Sequence, residues 1–197
     1  MTMLETLPPK RAALRDRVIE IAEVKAENEG ISGLRARDLA SEAGCALGSI
    51  YTIFGDLGDV GAAVNQRSFD QILSAMQQVG DSRGGALDVL KSLAATYAQY
   101  ATDHTPRWKM AFETGLPEGE GDAALAPIID IFVDPMAELL PAYSTRMVLR
   151  SARVLFATIH GITAMSLDPR LPVLPEGDLR RNLNAAVTAM VSTNEHV

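Results

Sequence analysis

Apolar residues recur along this chain at steps of three and four, and no stretch keeps the every-second-residue alternation of a half-buried strand, so the pattern predicts helices joined by short breaks throughout. The first helix follows Pro8-Pro9 and lays Leu14, Val18, Ile21, Ala22 and the stem of Lys25 on one face, with Gly30 as its C-terminal stop. A short second helix is expected from about Arg35 to Ala43, then a tight turn at Gly44. A third helix from about Ala46 to Phe54 turns Leu47, Ile50 and Phe54 inward. Gly55-Asp56 ends it. A long fourth helix from about Gly58 to Val79 offers Val60, Ala63 and Val64 to the first three helices and Phe69, Ile72, Leu73 and Met76 to later ones, which makes it a mechanical link.

Asp81-Ser82-Arg83-Gly84-Gly85 is the clearest internal break, and helices are expected beyond it near 86–103, 106–114, 122–140, 143–166 and 178–193. Loops are expected at Gly115 to Gly121 and at Asp168 to Gly177, the latter with three prolines. The predicted fold is all-α, with a helix-turn-helix module at 10–65 linked by the fourth helix to a larger helical part at 66–197.

Composition narrows the class. The 197 residues are 47% hydrophobic and 22% charged, which fits a folded globular chain and neither a disordered nor a fibrous one. The longest apolar stretch, Val154 to Met165, is interrupted by Thr158, His160 and Thr163 and is shorter than the ~20 residues of a membrane span. The first residues lack the basic-then-apolar order of a signal peptide, and one cysteine forms no internal disulfide, so the cytoplasm is the expected compartment. A net charge of -7 argues against gripping a polyanion by bulk electrostatics. Lys10, Arg11, Arg15, Arg17, Arg35 and Arg37 sit among Glu20, Glu23, Glu27, Glu29, Asp38 and Glu42, so any DNA contact relies on few phosphates.

The stretch RARDLASEAGCALGSIYTIFGD has the form of a helix-turn-helix, in which the outer face of the second helix enters a major groove. Ala46, Ser49 and Thr52 lie on that face, and Gly48 permits close backbone approach. Hydroxyls of Ser and Thr meet base edges or phosphates there, Ala touches a thymine methyl, and Tyr51 reaches a phosphate through its hydroxyl.

These residues resemble the TetR family of transcriptional regulators. The resemblance covers about residues 10 to 70 and rests on Gly30, Leu39-Ala40, Ala43-Gly44, the run Gly48-Ser49-Ile50-Tyr51-Thr52-Ile53-Phe54, and Val60 to Val64. It implies operator-DNA binding through Arg35, Arg37, Ala46, Gly48, Ser49, Tyr51 and Thr52. Three positions depart from the family pattern. Arg35 stands where Thr or Ser often caps the second helix, Leu57 where a Lys meets phosphate, and Ile53 where a polar aromatic is common. Arg35 replaces one phosphate contact but Leu57 does not, so binding is expected to be weaker or more salt-sensitive.

In the C-terminal part, Trp108 within PRWKMAFE and His160-Gly161 within ATIHGITAMSLDPRL resemble a subgroup of that family marked by a Trp and a His-Gly pair. The resemblance implies a cavity for a small-molecule effector whose binding tilts the long linking helix and releases a repressor from its operator. Candidate pocket residues are Tyr97, Tyr100, Trp108 and Phe112 from the earlier helices. Phe132, Met136, Phe156 and His160 come from the later ones; ordinary core is the alternative role for each. The helix ending at Ser166 is apolar nearly all round in its second half, so a partner chain is expected to cover one side. Val154, Ile159 and Ile162 of that helix, with Leu179, Leu183, Ala186 and Met190 of the last, form the expected four-helix homodimer seam, which spaces two reading heads by ~34 Å.

No acid, base and nucleophile converge, His104 lacks metal-ligand spacing, and Gly84-Gly85 lacks the Lys-Ser/Thr of a phosphate loop, so neither an enzyme, a metal site nor a cofactor is expected. The main rival is a helical small-molecule carrier that does not bind specific DNA.

Overall fold

A computed structural model describes residues 8–80, 84–114, 121–171 and 178–193. Among the described residues ten α-helices run in order: α1 (Pro9–Glu29), α2 (Ala36–Ala43), α3 (Leu47–Phe54), α4 (Leu57–Gly80), α5 (Ala86–Asp103), α6 (Thr105–Glu113), α7 (Gly121–Asp130), α8 (Val133–Leu139), α9 (Thr145–Ser166) and α10 (Leu179–Thr193). No strand occurs among the described residues. The expected loops at 115–121 and 168–177 and the break at 81–85 lie mostly outside the described residues. One helix expected over 122–140 is two. Pro135 has no N–H to give the carbonyl of Ile131, and its ring collides with that carbonyl, so the chain breaks at 131–132 and restarts as α8.

The chain divides into two compact units, one drawn from Met1–Ser68 and Pro106–Glu118, the other from Phe69–Thr105 and Gly119–Val197. The first unit, called the head here, holds α1 to α3, the opening half of α4, and α6. Its core gathers Val18, Ile19, Ala22 and Ala26 of α1, Leu39, Ala40 and Ala43 of α2, Ile50 and Phe54 of α3, Val60 and Val64 of α4, and Met110 of α6. Gly30 has φ 60 and ψ -143, outside the helical range, and a 3-10 turn over Gly30–Gly33 leads to α2. A Cβ on Gly30 would also come within 3.3 Å of the Pro106 carbonyl oxygen, so α6 packs where a side chain is absent.

Charge holds α6 in the head as well. The Arg107 guanidinium is buried, with Nη1 against Glu23 Oε1 and Nε 3.1 Å from Glu27 Oε2, while Arg67 Nη1 of α4 lies 3.1 Å from Glu23 Oε2. The paired carboxylates compensate the desolvation of Arg107, without which its burial is strongly unfavourable.

In the second unit α5 packs against α8, α9 and α10, and α9 against α7, α8 and α10. Leu90, Leu93, Ala94, Tyr97 and Ala101 of α5, Phe132, Met136, Leu155, Phe156 and Ile159, with Leu183 and Val187 of α10, are buried. On α9 the buried side is Val148, Ala152, Leu155, Phe156, Ile159 and Thr163. The opposite side carries Met147, Val154 and Met165, which are 46%, 49% and 40% exposed. No helix among the described residues is long and apolar enough to cross a membrane.

Candidate nucleic-acid interface and a buried aromatic cluster

The turn between α2 and α3 is made by Gly44, at φ 68 and ψ 38, the left-handed region in which a residue with a Cβ is strained. Its N–H returns to the carbonyls of Ala40 and Ser41, and Cys45 N donates to the Ala40 carbonyl at 2.9 Å, so α2 is closed and the chain reverses within a few residues. Ile50 and Phe54 then anchor α3 in the core from one side. The guanidinium of Arg15 sits 5.5 Å from the Phe54 ring centroid and braces the far end of α3.

The other side of α3 is solvent-facing. Ala46, Gly48 and Thr52 are exposed, Tyr51 is 47% exposed, and Ser49 is half-buried at the edge. A Cβ on Gly48 would meet nothing within 4 Å, so the helix has open space there. Thr52 donates its hydroxyl hydrogen to the Gly48 carbonyl at 2.9 Å. Leu47, expected to face inward, is instead 40% exposed. It stands in the opening turn, ahead of the core contact that begins at Ile50, and shares the outer edge with Tyr51 one turn on.

Cations of the head differ in what they are free to do. Lys25 is held 2.6 Å from Glu42, a hydrogen bond that raises its pKa above the usual lysine value. Arg67 and Arg107 are engaged with Glu23 and Glu27. Arg35 is exposed and loosely paired, 3.9 Å from Glu29 and 4.0 Å from Asp38. Arg37 is exposed and has no ion-pair partner among the described residues. Leu57 packs against the head core.

The eight pocket candidates are divided between the two units. Tyr97, Phe132, Met136, Phe156 and His160 belong to the second unit and come from α5, α8, α9 and the turn before α8. Tyr97 and Phe156 meet edge to face at 5.4 Å, and Phe132 and Phe156 are 6.3 Å apart. The Tyr97 hydroxyl is hydrogen-bonded to His160 Nδ1 at 2.7 Å, and burial pushes the His160 pKa below the usual histidine value. Tyr100 has other neighbours, the His104 ring at 4.6 Å and Gln71, whose Oε1 accepts from its hydroxyl at 3.2 Å. Trp108 and Phe112 lie in the head, 5.4 Å from each other.

Of the seven seam candidates, Ile159 and Leu183 are filled in by their own chain, at 0% and 1% exposure. Val154 is exposed, and Ile162, Leu179, Ala186 and Met190 are half-buried. The Glu23–Arg107–Glu27 cluster is not legible in the sequence pattern. Its one signal is that Glu23 and Glu27 sit a turn apart on the helix that carries Ile19 and Ala26. No group of three or more His, Cys, Asp or Glu side chains fit to hold a metal occurs among the described residues.

A family model described as "Tetracyclin repressor-like, C-terminal domain" matches residues 90–190. An uncharacterized HTH-type transcriptional regulator of Mycobacterium tuberculosis is 26% identical over 155 residues, which is 78% of this chain and 70% of that protein. Among solved structures, a TetR-family transcriptional regulator from Streptomyces coelicolor superposes with a TM-score of 0.72 at 17% identity, over 93% of this chain and 82% of that one. The multidrug binding protein EbrR, solved in complex with ethidium, has a TM-score of 0.54 at 23% identity, over 91% of this chain and 99% of its own.

Proposed function

The chain belongs to the tetracycline-repressor-like (TetR) family, and on that premise we propose that it is a dimeric repressor that holds an operator through α3 and leaves it when a small, largely apolar ligand binds the second unit. The observation that carries this is the two-sided build of α3, with Ile50 and Phe54 locked in the core and Ala46, Gly48, Tyr51 and Thr52 left outside. The small residues Ala46, Gly48 and Thr52 let such a helix sit deep in a major groove, and in this proposal Arg37 and the Tyr51 hydroxyl meet flanking phosphates. The regulator naming of the mycobacterial relative favours the same role, which is exercised in the cytoplasm where the chromosome lies.

The ligand site of this proposal is the cluster of Tyr97, Phe132, Met136, Phe156 and His160, an apolar surface with one polar pair to orient a guest. The ethidium complex of EbrR is a precedent for a flat aromatic guest in this fold. Dimerisation in this proposal uses exposed Met147, Val154 and Met165 of α9, with half-buried Ile162, and exposed Ala185 and Ala189 of α10, with half-buried Ala186 and Met190. The test is whether the purified protein prefers a duplex from beside its own gene over an unrelated duplex of equal length. Selective binding supports the regulator; equal binding transfers the proposal to a ligand carrier, the role that the core-packed Leu57 favours.

A further inference from the structure

We propose that the opening turn of α3 discriminates bases through an apolar contact, with Leu47 packed on the C5-methyl of thymine in the operator; this rests on the DNA-binding role proposed above. In helix-turn-helix proteins the first residues of the second helix meet the base edges. Here those residues are Ala46, Leu47 and Gly48. Between Cys45 and Phe54 there is no Arg, Lys, Asn or Gln, so α3 offers neither a bidentate partner for guanine nor one for adenine. Among its hydroxyls, that of Thr52 already donates to the Gly48 carbonyl at 2.9 Å.

Beside the hydroxyls of half-buried Ser49 and of Tyr51, what α3 presents in its first two turns is apolar: the Ala46 and Thr52 methyls and a leucine that its own chain leaves 40% exposed. Only one base feature in the major groove matches such a surface, the thymine methyl. Gly48 sets the depth, since open space around it lets the backbone approach and carries Leu47 to the base edge. The same surface penalises cytosine and guanine, whose amino and carbonyl groups lose water against Leu47 and gain no partner. The chain's net charge is -7, so this contact weighs more heavily in affinity than in a strongly basic protein.

The experiment uses the full-length protein. Duplexes are selected from a random-sequence pool by binding, and each thymine of the selected site is then replaced in turn by uracil, which removes the methyl and keeps the pairing. The expected result is at least one thymine in each half-site whose replacement weakens binding about fourfold, the value for one buried methyl group, with no loss of that size in a Leu47→Ala protein. Uracil replacements without effect on the wild-type protein, or an effect that persists in Leu47→Ala, overturn the contact while leaving DNA binding in place. A protein that enriches no sequence overturns both this contact and the function it rests on. The wild-type arm changes only the DNA, so it does not depend on how the variant folds.

Discussion

The hydroxyl of Tyr97 on α5 lies 2.7 Å from Nδ1 of His160 on α9, and the pair sits against Phe156 within the packed interior of the second unit. Burial lowers the His160 pKa in the folded chain below its unfolded value of about 6.5. Folding thus favours the neutral ring. Stability from this site is fully present above pH ~6.5 and falls as pH drops below it, toward the folded pKa. The expected observation is a declining melting temperature across that window, absent in His160→Phe, and a histidine ring signal that titrates below the usual range. Tyr97→Phe removes one internal hydrogen bond and is expected to cost about 1 kcal/mol.

Arg107 is the charged residue that binds α6 into the head. Arg107→Ala leaves Glu27 without this cation and Glu23 with Arg67, both half-buried, so it is expected to destabilise by less than the ~3–5 kcal/mol of a fully buried broken pair. Substituting Glu23→Gln and Glu27→Gln in that background is expected to recover part of the loss, because the half-buried carboxylates that lost Arg107 are then neutral, offset in part by the loss of the Arg67–Glu23 pair. Denaturant titration of the single and triple variants measures both. Equal stability of Arg107→Ala and wild type would show that the guanidinium gains nothing from its carboxylates.

Arg37 is exposed and without an ion-pair partner among the described residues, and is expected to meet a phosphate. Arg37→Ala is expected to weaken DNA binding by a similar factor on every sequence and to reduce the slope of log affinity against log salt by about 0.9 per subunit. Arg35, already loosely satisfied by Glu29 and Asp38, is expected to change the slope less. Titrations at several salt concentrations separate the two.

The outer and inner sides of α9 are expected to respond differently to charge. Val154→Asp places a carboxylate on a surface that is 49% exposed in one chain, so it is expected to leave the fold intact and split the dimer. Ile159→Asp, at a fully buried position, is expected to unfold the second unit. Solution mass and helical content report the two outcomes. A dimer that survives Val154→Asp would place the subunit contact elsewhere.

The head was legible in the sequence because each of its rules is local. Gly44 between two short apolar patterns announces a turn, and Ile50 and Phe54 at a spacing of four announce the buried side of α3. Leu47 was not legible, since an apolar residue in a first turn reads the same whether it packs inward or faces a groove. The split at Pro135 was written in the chain but outweighed by the helical spacing around it. Arg107 and Glu23 are 84 positions apart, and only the folded head brings them together. The apolar second half of α9 announces two covered sides, yet nothing local tells which of Val154 and Ile159 its own chain covers.

The most direct test of the central claim, that the outer side of α3 reads DNA, is the operator affinity of Gly48→Asp. A side chain at Gly48 meets no atom within 4 Å, and a carboxylate in the first turn of a helix is favourable, so the variant is expected to melt no lower than wild type. In a complex the same carboxylate projects into the groove among phosphates, and operator binding is expected to fall more than ~100-fold, the scale of an unpaired charge buried at an interface. A folded Gly48→Asp protein that holds the operator as tightly as wild type would contradict the account.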